Sequence, residues 1–141
     1  MPAQDRSQPS ELEAPLLLID VRPLGDTHVR MFVTGDIDAL SQSAIDTAAF
    51  VVLRHHRPRE ITLDLAGVGF LDASGVSALL RCHATARDLQ CALALANLQP
   101  PVRHVLRTVG LTAHFGVPDP APPRPRRTGR HPWLGVFRTS R

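Results

Sequence analysis

Asp72-Ala73-Ser74-Gly75 is the stretch whose residue types and spacing offer chemistry. It follows the apolar run Ile61-Thr62-Leu63-Asp64-Leu65 and directly precedes Val76-Ser77-Ala78-Leu79-Leu80, so it reads as a loop opening a helix. A serine at such a place is presented rather than buried. The unpaired N–H groups and positive dipole end of a helix favour negative charge, so a phosphate on Ser74 is accommodated there. An N-cap that satisfies backbone donors is the plainer reading of the same serine, and the two roles can coexist. A hydrolase nucleophile is disfavoured, because Asp-Ala-Ser-Gly-Val is not Gly-x-Ser-x-Gly and no His and acid are placed to serve it.

The other reactive side chains form weaker patterns. Adjacent His55 and His56 on a helix point in different directions, as do Cys82 and His83, so neither pair makes a metal site. Cys82 and Cys91 lack CxxC spacing and read as small core residues of a reducing compartment. No metal, cofactor or catalytic residue is expected.

The elements that position Ser74 follow from periodicity. Leu16 to Arg22 and His28 to Thr34 read as strands joined by a short turn at Gly25-Asp26, hence antiparallel. Gly35-Asp36-Ile37-Asp38 is expected to break the second strand. Leu40, Ala44, Ile45, Ala48, Ala49, Val52 and Leu53 then recur at helical spacing, with Ser43 and Asp46 as a capping box and an end near Arg54-His55-His56 before Pro58. Ile61 to Leu65 is a short strand. Val76, Leu79, Leu80 and His83 make the next helical stripe, and Asp64 reads as scaffolding. Cys91 to Ala96 is apolar throughout, as expected of a strand covered on both faces with parallel neighbours. Pro100 and Pro101 open a third helix through Val102, Val105, Leu106 and Val109, closed by Gly110 with Leu111 as the apolar contact. His114 to Val117 adds a possible last strand.

The order ββαβαβα, with or without that last β, gives an α/β fold: a mixed sheet with an antiparallel edge and helices packed on it. The loops after the parallel strands, Ser74 among them, gather at one edge, where function is expected. At 141 residues and 43% hydrophobic content the chain suits one domain with a core. Residues 1–14 read as a flexible arm, 15–117 as the domain, and 118–141 as a disordered tail rich in proline and arginine. The arm has no signal-peptide core and no apolar run approaches a bilayer span, so a cytoplasmic protein with no membrane partner is expected.

The sequence contains no lysine. Through Pro118, 10 Arg face 12 Asp and Glu, whereas from Asp119 onward 6 Arg face one Asp. The pI near 10.0 therefore describes the tail, and no direct nucleic-acid binding is expected of the domain. A tail-driven contact with acidic partners or nucleic acid is the alternative from another class.

The string from Ile61 to Leu80, containing Asp64-Leu65 and Asp72-Ala73-Ser74-Gly75, resembles the signature of the STAS domain, named for sulfate transporters and anti-sigma factor antagonists. Gly35-Asp36-Ile37-Asp38 is similar to the family's Gly-Glu-Leu-Asp turn, and Leu106-Arg107-Thr108-Val109-Gly110-Leu111 to its last helix. The resemblance runs from about Leu16 to Val117. It implies a non-enzymatic anti-sigma factor antagonist. Unphosphorylated, such a protein binds an anti-sigma factor that is a serine kinase of the GHKL type; phosphorylation of the serine before the glycine, here Ser74, releases it, and a metal-dependent serine phosphatase restores it. Asp36, Asp38, Asp72, Ala73, Ser74 and Gly75 are the implied partner-binding residues. Ala73 departs from members with two hydroxyl residues after the aspartate, leaving Ser74 as the acceptor. A STAS module that is never phosphorylated and serves as a scaffold or transporter accessory is the alternative within the fold.

Overall fold

The computed structural model describes residues 17–117, so the expected arm (1–14) and tail (118–141) lie outside the described residues. Four strands and three helices follow in the order β1 (Leu17–Leu24), β2 (His28–Ile37), α1 (Gln42–His56), β3 (Glu60–Leu71), α2 (Ala73–Asp88), β4 (Ala92–Ala96) and α3 (Pro100–Thr108). The sheet runs β1-β2-β3-β4, with β1 antiparallel to β2 and the other pairs parallel.

The core follows the period-2 pattern. Val29, Met31 and Val33 of β2, Ile61, Leu63 and Leu65 of β3, and Leu93 and Leu95 of β4 are buried on one face. Against them pack Ile45, Ala49, Val52 and Leu53 of α1 and Val76, Leu79, Cys82 and Ala86 of α2. Burial pushes both thiols up, to about 12 for Cys82, beside Asp46, and about 11 for Cys91, beside Glu60, so neither is a nucleophile near neutrality.

Several local expectations are corrected. β2 does not stop at Gly35 but continues to Ile37, and β3 runs on to Leu71, because the two strands extend together: Thr34 pairs with Gly67, Asp36 with Phe70 and Ile37 with Leu71, across two register shifts. β4 is covered on one face only. It sits at the sheet edge, with Leu93 and Leu95 buried and Ala92 and Ala94 exposed; alanine is small enough to face water without a signal in the sequence. His114 to Val117 forms a turn, not a strand, with Val117 N–H donating to the Thr112 carbonyl (2.8 Å) and Phe115 N–H to that of Leu111 (3.2 Å). Phe115 and Val117 are nonetheless buried, which is the alternation that mimics a strand.

Helix ends also differ in part. Ser43 and Asp46 form no capping box: Ser43 is exposed inside α1, and Asp46 binds Arg81 (2.9 Å) across to α2. Leu40 is 74% exposed and precedes the helix rather than joining its stripe. α1 does end where expected, at Arg57 in the left-handed region before Pro58. The end of α3 is a Schellman motif, with Leu111 N–H bonded to the Leu106 carbonyl (2.8 Å) and Gly110 N–H to that of Arg107 (3.0 Å).

The one charged side chain buried in the sheet is Asp64 among the described residues. Its carboxylate accepts from Arg30 Nη2 (2.8 Å), Asn97 Nδ2 (2.8 Å) and Ala66 N–H (3.0 Å). Burial works to raise its pKa, but the three hydrogen bonds and the Arg30 charge together outweigh burial and hold it below the ordinary aspartate value.

The C-terminal turn docks on α2 through His83, whose ring lies 4.3 Å from His114 and edge-on to Phe115. Burial, and then repulsion from His114 and Arg87, lower the His83 pKa below 6.5. The folded state thus favours neutral His83, so its contribution is present above the unfolded value and is lost as pH falls below about 6.5. Melting temperature should drop from neutral pH toward pH 5, and less steeply in His83→Phe; parallel curves for the two proteins would show that this contact does not titrate.

Candidate functional site

The site is assembled where β2 and β3 end together. Asp72 is the N-cap of α2, in extended geometry, and its Oδ1 accepts from Gly75 N–H (2.9 Å) while Val76 N–H bonds the Asp72 carbonyl (2.9 Å). The helix therefore opens earlier than the sequence suggests. Ala73, Ser74 and Gly75 form its first turn, and only Asp72 lies outside it. Capping falls to Asp72, not Ser74. Ser74 is half-buried at the second helical position, and among the described residues its hydroxyl has no hydrogen-bond partner.

The Asp36–Asp38 turn is joined to this helix start through backbone. Asp72 N–H points to the Ile37 carbonyl (3.4 Å), and a Cβ on Gly75 would run into that carbonyl and meet Leu71 Cδ1 at 2.6 Å. Any larger residue at 75 must push the two segments apart, so the glycine is required by close approach. The turn is itself fixed. Asp38 Oδ1 accepts from Leu40 N–H (3.0 Å) and Ser41 N–H (3.1 Å), and Ser41 Oγ donates to the Asp36 carbonyl (2.7 Å) while accepting from Asp38 N–H (3.1 Å).

All six residues singled out from the sequence therefore belong to one edge of the domain. Gly75 is buried, Asp38, Asp72 and Ser74 are half-buried, and Asp36 and Ala73 are exposed. Sequence reasoning missed three contributors. Ser41, 1% exposed, holds the acidic turn; its signal was its place three residues after Asp38, within the reach of a capping carboxylate to a backbone N–H. Leu40 and Phe70, 74% and 48% exposed, flank the edge as apolar surface, Phe70 pairing with Asp36 across the strands. Such residues suit a protein contact. Among the described residues no group of three or more His, Cys, Asp and Glu is placed to hold a metal ion.

The sequence matches the family model described as "Mlab, STAS domain" over residues 22–117. No curated protein matches it. Among solved structures, an anti-sigma factor antagonist from Mycobacterium paratuberculosis is 23% identical with a TM-score of 0.62, the match covering 72% of this chain and 84% of that one. The anti-sigma factor antagonist SpoIIAA in its unphosphorylated form is 20% identical with a TM-score of 0.60, covering 68% and 84%. A sulfate transporter family protein from Wolinella succinogenes is also 20% identical, with a TM-score of 0.57 and coverage of 69% and 76%. These likenesses establish a shared fold.

Gly75→Ala tests the backbone approach that builds this edge. Alanine gains up to about 1 kcal/mol in helix propensity, but overpacking against a main-chain carbonyl costs about 1–3 kcal/mol. A net fall in the urea midpoint is expected; an unchanged or raised midpoint would show that the two segments have room to spare.

Proposed function

The chain belongs to the STAS domain family, and on that premise we propose that it is an anti-sigma factor antagonist switched by phosphorylation of Ser74. Unphosphorylated, it binds an anti-sigma factor of the GHKL serine kinase type. Phosphorylation by that partner releases it, and a metal-dependent serine phosphatase resets it. The protein is then substrate and ligand, not catalyst, and it regulates transcription in the cytoplasm by partner switching.

The observation that carries this reading is the division of labour at the start of α2. Asp72 caps the helix, which leaves the Ser74 hydroxyl without a structural task among the described residues. A phosphate there adds about −1.5 to −2 charges on the edge that carries Asp36, Asp38 and Asp72. A partner surface built for a neutral hydroxyl then meets like charge and a desolvation cost. The fold itself loses no hydrogen bond.

A second reading has its own support: one similar structure is that of a sulfate transporter family protein. On that reading the same edge binds a transporter component without phosphorylation. The two differ in what Ser74 does.

Incubation with the cognate kinase and ATP, followed by mass mapping, should place one phosphate on Ser74 and none on Ser74→Ala; clean labelling of that variant would remove the assignment. Ser74→Asp should weaken partner binding at least tenfold, on the order of 1.4 kcal/mol, with circular dichroism and melting nearly unchanged. Equal affinity of parent and variant would favour the unphosphorylated transporter accessory.

A further inference from the structure

The side of α1 turned away from the sheet carries a surface that the proposed switch leaves unused. Ile45, Ala49, Val52 and Leu53 bury the inner side of the helix in the core. On the outer side Phe50 and Val51 stay 49% and 45% exposed. Water alone calls for polar residues on such a face, and Ser43, Asp46, Thr47, Arg54 and His55 supply them around that apolar pair. The Arg54 guanidinium stands 5.6 Å from the Phe50 ring centroid.

The shape of this face is as informative as its exposure. Phe50 is the wall shared by two hollows. One, of about 390 Å³, is lined by Phe50, Val51, Arg54 and His55; the other, of about 260 Å³, reaches across Asp46 and Ala49 to Arg81, Cys82 and Thr85 of α2. Asp46-Phe50-Arg54 and Thr47-Val51-His55 are neighbouring rows of side chains at i, i+4 and i+8. The groove between two such rows receives a row of another helix in the commonest class of helix packing. The face thus holds both a ridge and a hollow for one, so it complements itself, as a two-fold contact requires.

Charge sets the direction of the pairing. The last turn of α1 is cationic, with Arg54, His55 and His56 before the cap Arg57, whereas its first half carries Asp46 and no cation. Among the described residues Arg54 and Arg57 are not paired with a carboxylate. Asp46, beside Arg81 (2.9 Å), keeps 31% of its side chain exposed. Two copies of α1 side by side in the same direction bring their cationic ends together. In opposite directions, about an axis between positions 50 and 51, Phe50 faces Val51 of the partner subunit, and Arg54 and His55 face Thr47 and Asp46 of the partner subunit. The helix dipoles then oppose each other as well. A polyanion would answer the cations but leave Phe50 and Val51 in water and meet Asp46.

We infer that this chain forms a reversible two-fold homodimer through antiparallel α1 helices, with Phe50 of each copy seated in the hollow beside Val51 of the other. One helix pair buries less than the roughly 1,200 Å² at which stable interfaces begin, so association is weak and depends on concentration. The start of α1 is tied to the acidic turn, Gln42 N–H donating to the Asp38 carbonyl (2.9 Å). Antiparallel pairing therefore sends the two Ser74 edges to opposite ends of the dimer, where both stay open to a partner. The inference stands whether or not Ser74 is phosphorylated.

The test is sedimentation equilibrium of the full chain across the micromolar range. The average mass should rise from 15.4 kDa toward twice that value. Phe50→Asp and Val51→Asp should each weaken association about tenfold or more, with unchanged melting, because both side chains already face solvent. A monomer at every concentration overturns the inference, and so does parental association by these two variants. Arg54→Glu should weaken association about threefold by setting like charge against Asp46; tighter association would mean that the cationic ends meet, and overturns the antiparallel pairing. On oxidation Val51→Cys should form an interchain disulfide, since Cys82 and Cys91 are buried and do not compete. Ser43→Cys, roughly 20 Å from its mate across the axis, should not, and a crosslink there overturns the pairing too. Ser74→Asp should associate as the parent does; its loss of association would put the Ser74 edge in the contact and overturn this geometry.

Discussion

The close approach of Gly75 to the Ile37 carbonyl is the constraint on which the candidate edge depends. β2 and β3 must extend together to Ile37 and Leu71 for that approach to occur, and α2 must begin at once after β3. Ile37 and Leu71 are both buried there, so the contact is backed by core packing rather than by one hydrogen bond. A consequence is that the Asp36–Asp38 turn and the start of α2 share one rigid frame. A partner that reads one segment reads the other in fixed register.

That frame rests in turn on Asp64. Arg30 reaches it from β2, Asn97 from the segment after β4, and the Ala66 N–H from β3 itself, while Gln99 Nε2 donates to the Ala66 carbonyl (2.6 Å). These bonds gather just before the register shifts that carry β3 on to the site. A buried charge of this kind adds little net stability compared with a well-packed apolar group, because desolvation offsets much of the attraction. Its physical contribution is to fix three segments in one arrangement, since any other leaves a buried carboxylate without its donors.

The sequence made the architecture legible because its signals were redundant. Alternation in β2 and β3, helical spacing in α1 and α2, and the Pro100-Pro101 and Gly110 punctuation each point to an element without knowledge of its neighbours. The order of those elements then restricts the sheet. What stayed hidden was decided by tertiary context. Gly35 reads as a strand breaker, yet paired bulges carry β2 past it. Ala92 and Ala94 are apolar in composition and exposed in fact. Ser43 and Asp46 satisfy the capping-box spacing, but Asp46 is claimed by Arg81 from another helix. At the site the residues were legible and their division of labour was not: Asp72 and Ser74 both qualify as caps by type, and only backbone geometry assigns the bond to Asp72.

That assignment bears on how a charge at Ser74 acts. The first turn of a helix offers N–H groups without intrahelical acceptors, and Asp72 uses the one on Gly75. The N–H groups of Ala73 and Ser74 belong to the same turn, at the positive end of the dipole. A phosphate at Ser74 meets their favourable field and the repulsion of Asp72 together, so the two effects oppose each other within the fold. No such compensation exists for a partner pressed against the same edge, where Leu40 and Phe70 would exclude water and raise the strength of every uncompensated charge. The asymmetry follows from solvent. In the free protein water would screen an added charge and in the proposed complex it could not, so on the proposed reading one modification would separate binding from folding.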